Sequence, residues 1–114
     1  MYNKGNTSKI NNDRVCKAWV NFNGLNTVSI RGSYNVSSIT DNATGDYTVN
    51  FNTDMNSAPD YSIVASSDTS SAGGGLSVGP VGWAMASTGV RLRVRKADGG
   101  TIDEDVISVQ VFEN

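Results

Sequence analysis

Residues Ser33 to Asn52 read SYNVSSITDNATGDYTVNFN, and the period of that stretch decides the fold class. Tyr47, Val49 and Phe51 alternate with Thr48, Asn50 and Asn52. A period of two sends the large apolar side chains to one face and the polar ones to the other, as a half-buried strand requires. The run before it, Asn35 to Thr40, carries the β-branched residues Val36, Ile39 and Thr40. Between the runs lies Asp41-Asn42-Ala43-Thr44-Gly45-Asp46, where Asn, Asp and Gly tolerate left-handed backbone angles and can reverse the chain. The stretch therefore predicts a β-hairpin with a loop of about four to six residues. Its inward triplet supplies the aromatic centre on which other strands pack.

Working outward, the same alternation recurs on both sides. Val15 to Phe22 (VCKAWVNF) places Cys16, Ala18, Val20 and Phe22 on one face and Val15, Lys17, Trp19 and Asn21 on the other. Both faces hold a large apolar residue, so both are expected to be covered. Asn23-Gly24 is a turn signal. Thr27 to Arg31 alternates with Val28 and Ile30 inward; Gly32-Ser33 then marks a bulge or bend, and the phase slips again between Val36 and Ile39.

Downstream, Thr53 to Asp60 reads as a loop and Tyr61 to Ser66 as a strand. Ser67 to Gly82 is the long irregular stretch, with Gly73-Gly74-Gly75 at its centre. Val81 to Ala86 is a short strand carrying Trp83. Val90 to Lys96 alternates Val90, Leu92 and Val94 with Arg91, Arg93 and Arg95, and Val106 to Phe112 closes the domain with Ile107, Val109 and Val111 on one face. About seven or eight short strands separated by turn signals predict an all-β fold, an antiparallel β-sandwich or small barrel. Residues 1–12 read as a flexible polar lead, and 13–114 as one β-rich domain.

Composition narrows the chemistry. The 114 residues carry a net charge of −2, one Cys and no His. A sequence-independent nucleic-acid binder has the opposite sign of charge, so nucleic acid is not an expected partner. No run approaches the roughly 18 apolar residues of a spanning helix, and no basic-then-apolar signal segment opens the chain. Cys16 has no intrachain disulfide partner, and no Cys/His zinc site can be assembled. The absence of His removes the usual general base and every Ser-His or Cys-His nucleophile pair. Asp46 and Asp54 are the carboxylates that a glycosidase reading would pair, but nothing in the sequence fixes the separation that chemistry needs. Gly73-Gly74-Gly75 lacks the Lys that follows in a phosphate-binding loop. Asp41, Asn42 and Asp46 read as turn chemistry and Asp103-Glu104-Asp105 as a charged loop, so neither a metal nor a cofactor is expected.

Three words of the sequence, CKAWVNFNG (Cys16 to Gly24), VSIRGSYNVSSITDNATGDYTVNF (Val28 to Phe51) and VISVQVF (Val106 to Phe112), together resemble a carboxy-terminal β domain of bacteriophage and prophage tail-fibre proteins. The resemblance covers nearly the whole chain after residue 14 and leaves the glycine-rich stretch unmatched. It implies a virion tail appendage, made in the cytoplasm of a bacterial host and assembled as a homotrimer with other virion tail proteins. It implies host-surface attachment by multivalent, non-enzymatic binding of a bacterial surface polysaccharide or receptor. Fibre proteins carry a long upstream shaft, whereas about a dozen residues precede the domain here. The chain therefore reads as a fragment, a small appendage protein or one component of a multi-chain fibre. The alternatives are a stand-alone carbohydrate-binding module and a fragment of a polysaccharide-degrading tailspike.

Within that reading, the variable stretch supplies the ligand site: Gly73, Gly74, Gly75 and Ser77 as adaptable backbone and hydroxyl contacts, and Trp83 as apolar area at the rim. Arg91, Arg93 and Arg95 form a row suited to anionic groups or an intersubunit contact, or else a solvated face partnered by Asp103, Glu104 and Asp105.

Overall fold

The computed structural model describes residues 15–58, 60–67, 77–96 and 98–113, with the backbone alone for 77–84. Eight strands follow in order: β1 Cys16–Asn23, β2 Ser29–Tyr34, β3 Val36–Ala43, β4 Asp46–Phe51, β5 Ser62–Ser67, β6 Ser77–Ala86, β7 Gly89–Arg95 and β8 Ile107–Phe112. They form two four-stranded antiparallel sheets, ordered β2-β1-β8-β5 and β3-β4-β7-β6. The fold is all-β and consistent with a small β-sandwich, with no helix among the described residues.

The period-two alternation decides which side chains meet between the sheets. Ala18, Val20 and Phe22 of β1 and Ile107, Val109 and Val111 of β8 are buried against Tyr47, Val49 and Phe51 of β4 and Val90, Leu92 and Val94 of β7. Two edge-to-face aromatic pairs lock the layers. Phe22 meets Tyr47 at 5.2 Å between ring centroids, and Phe51 meets Tyr61 at 5.8 Å. This is the geometry the ring quadrupoles favour.

The quoted stretch does more than form a hairpin. Tyr34 ends β2 in one sheet, Val36 begins β3 in the other, and Asn35 between them turns the corner at φ 56°. The hairpin itself is tighter than the sequence suggests. β3 runs through Asp41, Asn42 and Ala43, and Ala43 pairs with Asp46, so the turn is Thr44-Gly45 with Gly45 at φ 64°. Side-chain bonds hold the polar residues in the strand: the Asn42 amide donates to Thr48 Oγ1 at 2.9 Å and Asp46 Oδ1 at 3.3 Å. The slip between Val36 and Ile39 appears as a register shift after Val36. The irregularity expected at Gly32-Ser33 falls at Arg31, which is skipped between the pairs Asn21–Gly32 and Phe22–Ile30. Val28 packs on the core, but Ile30 is 38% exposed.

β6 starts earlier than the composition of Ser67 to Gly82 implies. Ser77 to Pro80 pair with Arg95 to Leu92, so β6 starts five residues before Gly82 rather than near it. Pro80 is tolerated because β6 is the edge of its sheet and has ladder bonds on one side only. Between Pro80 and Met85 the register slips, so residues 81–84 of β6 face only Arg91 of β7.

Candidate functional site

The described connections lie at one end of the sandwich or the other. One end gathers the β2–β3 corner, the 52–61 loop, the β6–β7 hairpin and the end of β8. The opposite end gathers the 24–28 connection, the β3–β4 turn and the 96–106 loop.

The first end contains a cavity of about 410 Å³. Its walls are Lys17 of β1, Tyr34 and Asn35 at the corner, Asn52 to Asn56 of the loop, and Glu113 after β8. Asn35 is its keystone. Its side-chain amide donates to the carbonyls of Lys17 (3.0 Å) and Thr53 (3.1 Å), and its Oδ1 accepts the Thr53 N–H at 2.6 Å. The left-handed angle, uncommon outside Gly but favoured in Asn, points the backbone carbonyl to accept the Asn52 N–H. The loop is pinned further on. Met55 is 3% exposed and its N–H reaches the Ser87 carbonyl at 2.8 Å. The Asn56 N–H lies 3.0 and 2.9 Å from the two carboxylate oxygens of Glu113. These bonds use backbone groups of the loop, so the side chains of Asn52, Thr53, Asp54 and Asn56 stand exposed around the cavity.

Tyr34 joins this cavity to the outer face of the first sheet. Across that face Tyr34 pairs with Trp19, Trp19 with Gln110, and Gln110 with Val64. Tyr34 is 57%, Trp19 41% and Val64 59% exposed. The Trp19 ring lies over Gly32, in van der Waals reach of any Cβ placed there. The expectation that both faces of β1 are covered therefore divides: Ala18, Val20 and Phe22 are covered within the chain, and Trp19 is not.

The outer face of the second sheet is the opposite case. The Asn50 amide donates to Ser38 Oγ (3.0 Å) and Thr40 Oγ1 (2.9 Å), and Asn42 continues the ladder to Thr48 and Asp46. Arg91 makes a two-pronged contact with Asp46 at 2.8 and 2.7 Å, and Arg93 adds a bond at 3.2 Å. The Arg91 hydrogen bond, helped by those from Arg93 and Asn42 and opposed by burial, lowers the Asp46 pKa to about 2. Arg91 and Arg93 are thus partnered by Asp46, 45 and 47 residues away, and not by the 103–105 run. Arg95 donates to the Gly99 carbonyl at 3.2 Å. Asp46 and Asp54 stand at opposite ends of the sandwich and form no acid–base pair.

The 103–105 run, read as a charged loop, is partly interior. Asp103 Oδ1 accepts from the Tyr47 hydroxyl (2.7 Å) and the Gly45 N–H (2.7 Å). Burial first, and the Asp103 contact second, raise the Tyr47 phenol far above its ordinary range. Glu104 is 0% exposed, and both its carboxylate oxygens lack a hydrogen-bond partner.

Of the ligand residues expected from sequence, Gly73, Gly74 and Gly75 lie outside the described residues. Ser77 and Trp83 fall on β6, where the backbone alone is described. The cavity was missed because its walls come from residues 17, 34–35, 52–56 and 113, which share no motif. A non-Gly residue in a corner was the one available signal, and Tyr34-Asn35 reads equally well as strand. The chain matches no protein family by its sequence profile, no curated protein and no solved structure.

Proposed function

We propose that the chain is a non-enzymatic appendage domain of the tail-fibre type, a homotrimer that attaches a particle to a bacterial surface polysaccharide. One observation carries the reading: the two outer faces differ in kind. Among the described residues, the second sheet's face pairs Asn42, Asp46, Asn50, Arg91 and Arg93 within the chain, while the first leaves Trp19 and Val64 exposed on either side of Gln110 in one cross-strand row. Large apolar side chains exposed on a sheet face favour burial against another copy, and closed cyclic symmetry ends the assembly at a finite size. The tail-fibre part of the reading rests on the KAWVNF, SYNVSSITDNATGDYTVNF and VISVQVF words of this sequence.

Attachment then follows from multivalency. Linked copies raise the avidity of a weak site by about 10²–10⁴-fold without any new contact. Light scattering at micromolar concentration should give about three chain masses, and Trp19→Glu should give one. A wild-type monomer at every concentration removes the fibre reading. A monomer that still binds saccharide favours the alternative of a stand-alone carbohydrate-binding module.

A further inference from the structure

The cavity at the corner end has the attributes of a ligand site rather than of a packing defect. Its volume, about 410 Å³, falls within the roughly 300–1,000 Å³ range of small-molecule sites. Its walls are built before any ligand arrives. Asn35 and Glu113 hold the loop by its backbone, and Met55 anchors it in the core. Ordering such a loop only on binding would cost affinity, so a loop fixed by folding removes that cost.

The lining selects the ligand by elimination. Among the described residues, the lining holds one cation, Lys17, and two anions, Asp54 and Glu113. A phosphate or other polyanion would meet net repulsion there. A wholly apolar ligand would strip water from Asn52, Thr53, Asp54 and Asn56 without replacing its hydrogen bonds. A ligand rich in hydroxyl groups replaces them, because each hydroxyl both donates and accepts and matches amide, carboxylate and ammonium groups together. The exposed Tyr34 ring at the lip adds an apolar surface for C–H groups.

From this we infer that the cavity binds a neutral saccharide unit, with Asp54, Asn56 and Lys17 bonding its hydroxyls and Tyr34 covering one face of the ring. The inference rests on the attachment reading for its biological source, a bacterial surface polysaccharide. It assigns binding to residues other than Gly73, Gly74, Gly75, Ser77 and Trp83, which the sequence suggested.

The test is an amide NMR titration of the full chain with glucose, galactose, mannose, rhamnose and N-acetylglucosamine, one at a time. At least one sugar should shift the amides of Lys17, Tyr34, Asn35 and residues 52–56. Asp54→Ala and Asn56→Ala should each weaken that binding about tenfold with spectral dispersion intact, and deletion of residues 72–76 should leave it unchanged. Shifts centred elsewhere, no shift with any sugar, or full binding by the Asp54→Ala/Asn56→Ala double variant would overturn the assignment. Adhesion to bacterial cells is measured in parallel. Cells held at full strength by the double variant overturn the cavity and leave the attachment reading standing. Sugar binding at the cavity without adhesion supports the cavity and ends the attachment reading.

Discussion

The two ends of the sandwich close the same core by different means. At the turn end, backbone approaches backbone. Gly24 sits against the Tyr47 hydroxyl and the Glu104 carbonyl, and a Cβ on Gly45 would lie 2.6 Å from both the N and O of Ile102. The Val94 N–H donates to the Gly45 carbonyl at 2.8 Å, and the Tyr47 hydroxyl lies 2.9 Å from the Gly24 carbonyl. Neither Gly24 nor Gly45 can take a side chain unless its neighbours move. At the corner end, side chains hold the loop at arm's length, and a cavity remains. An end closed by main chain has no freedom to vary, whereas an end braced by Asn35 and Glu113 can change its exposed residues at small cost. That difference sets the end where binding is proposed apart from the closed end more clearly than the length of any loop.

The largest expected effect tests the closed end. Gly45→Ala adds one methyl group in a left-handed backbone against the main chain of Ile102 and Val94. A loss of about 3 kcal/mol or more is expected, from the left-handed strain plus the clash. Thermal unfolding should fall by roughly 10–20 °C. Asp54→Ala at the other end should stay within about 0.5 kcal/mol of wild type. Equal losses at the two sites would break the comparison.

Next in size is Asn35. Asn35→Ala loses three side-chain hydrogen bonds and the tolerance for φ 56°. Asn35→Gly loses the bonds alone. Urea unfolding should show losses of about 2–3 kcal/mol for Ala and about 1–2 kcal/mol for Gly, the gap being the conformational part. A Gly variant no more stable than the Ala variant would remove the corner angle from the explanation.

Asp46 gives a pH signature at the turn end. Its folded pKa of about 2 lies below the ordinary carboxylate value of 3.8, so the folded state binds its proton less readily than the unfolded chain. The stabilisation is complete above about pH 4 and is lost as pH falls toward 2. After a discount for the partly exposed arginines it amounts to about 1–2 kcal/mol. In Asp46→Asn, denaturation curves between pH 5 and 2 should lack that component while keeping the rest of the acid response. An unchanged pH slope would disconnect Asp46 from its arginines.

The smallest effect has the opposite sign. Glu104 is fully buried with no partner for either carboxylate oxygen, whereas Glu113 at the corner end accepts two contacts from Asn56. Replacing a buried unpartnered carboxylate with an apolar side chain of similar length removes a desolvation cost. Glu104→Met should therefore stabilise the fold by about 1 kcal/mol in urea unfolding, while Glu113→Met should not. Destabilisation of the first variant would mean that the carboxylate serves the closed end.

The sequence by itself determined the strands that carry the core. In β1, β4, β7 and β8 the apolar side chains recur at every second residue, because an antiparallel sheet with one covered face imposes that period on the local sequence. Tyr47, Val49 and Phe51, and Ile107, Val109 and Val111, are legible for that reason alone. Polar strands were not legible to the same depth. Asp41 to Ala43 and Ser77 to Pro80 look like loop, and what makes them strand is a cross-strand partner: Thr48 and Asp46 for Asn42, Arg95 to Leu92 for the start of β6. Only the tertiary structure decided the rest. It turned Asn35 into a corner between sheets, gave Arg91 and Arg93 to Asp46, buried Glu104, and built one cavity from residues 17, 34–35, 52–56 and 113. Periodicity reports how a residue faces its own strand's neighbours. Pairings across 18 to 96 positions are set by strand order and register, which no local window of sequence contains.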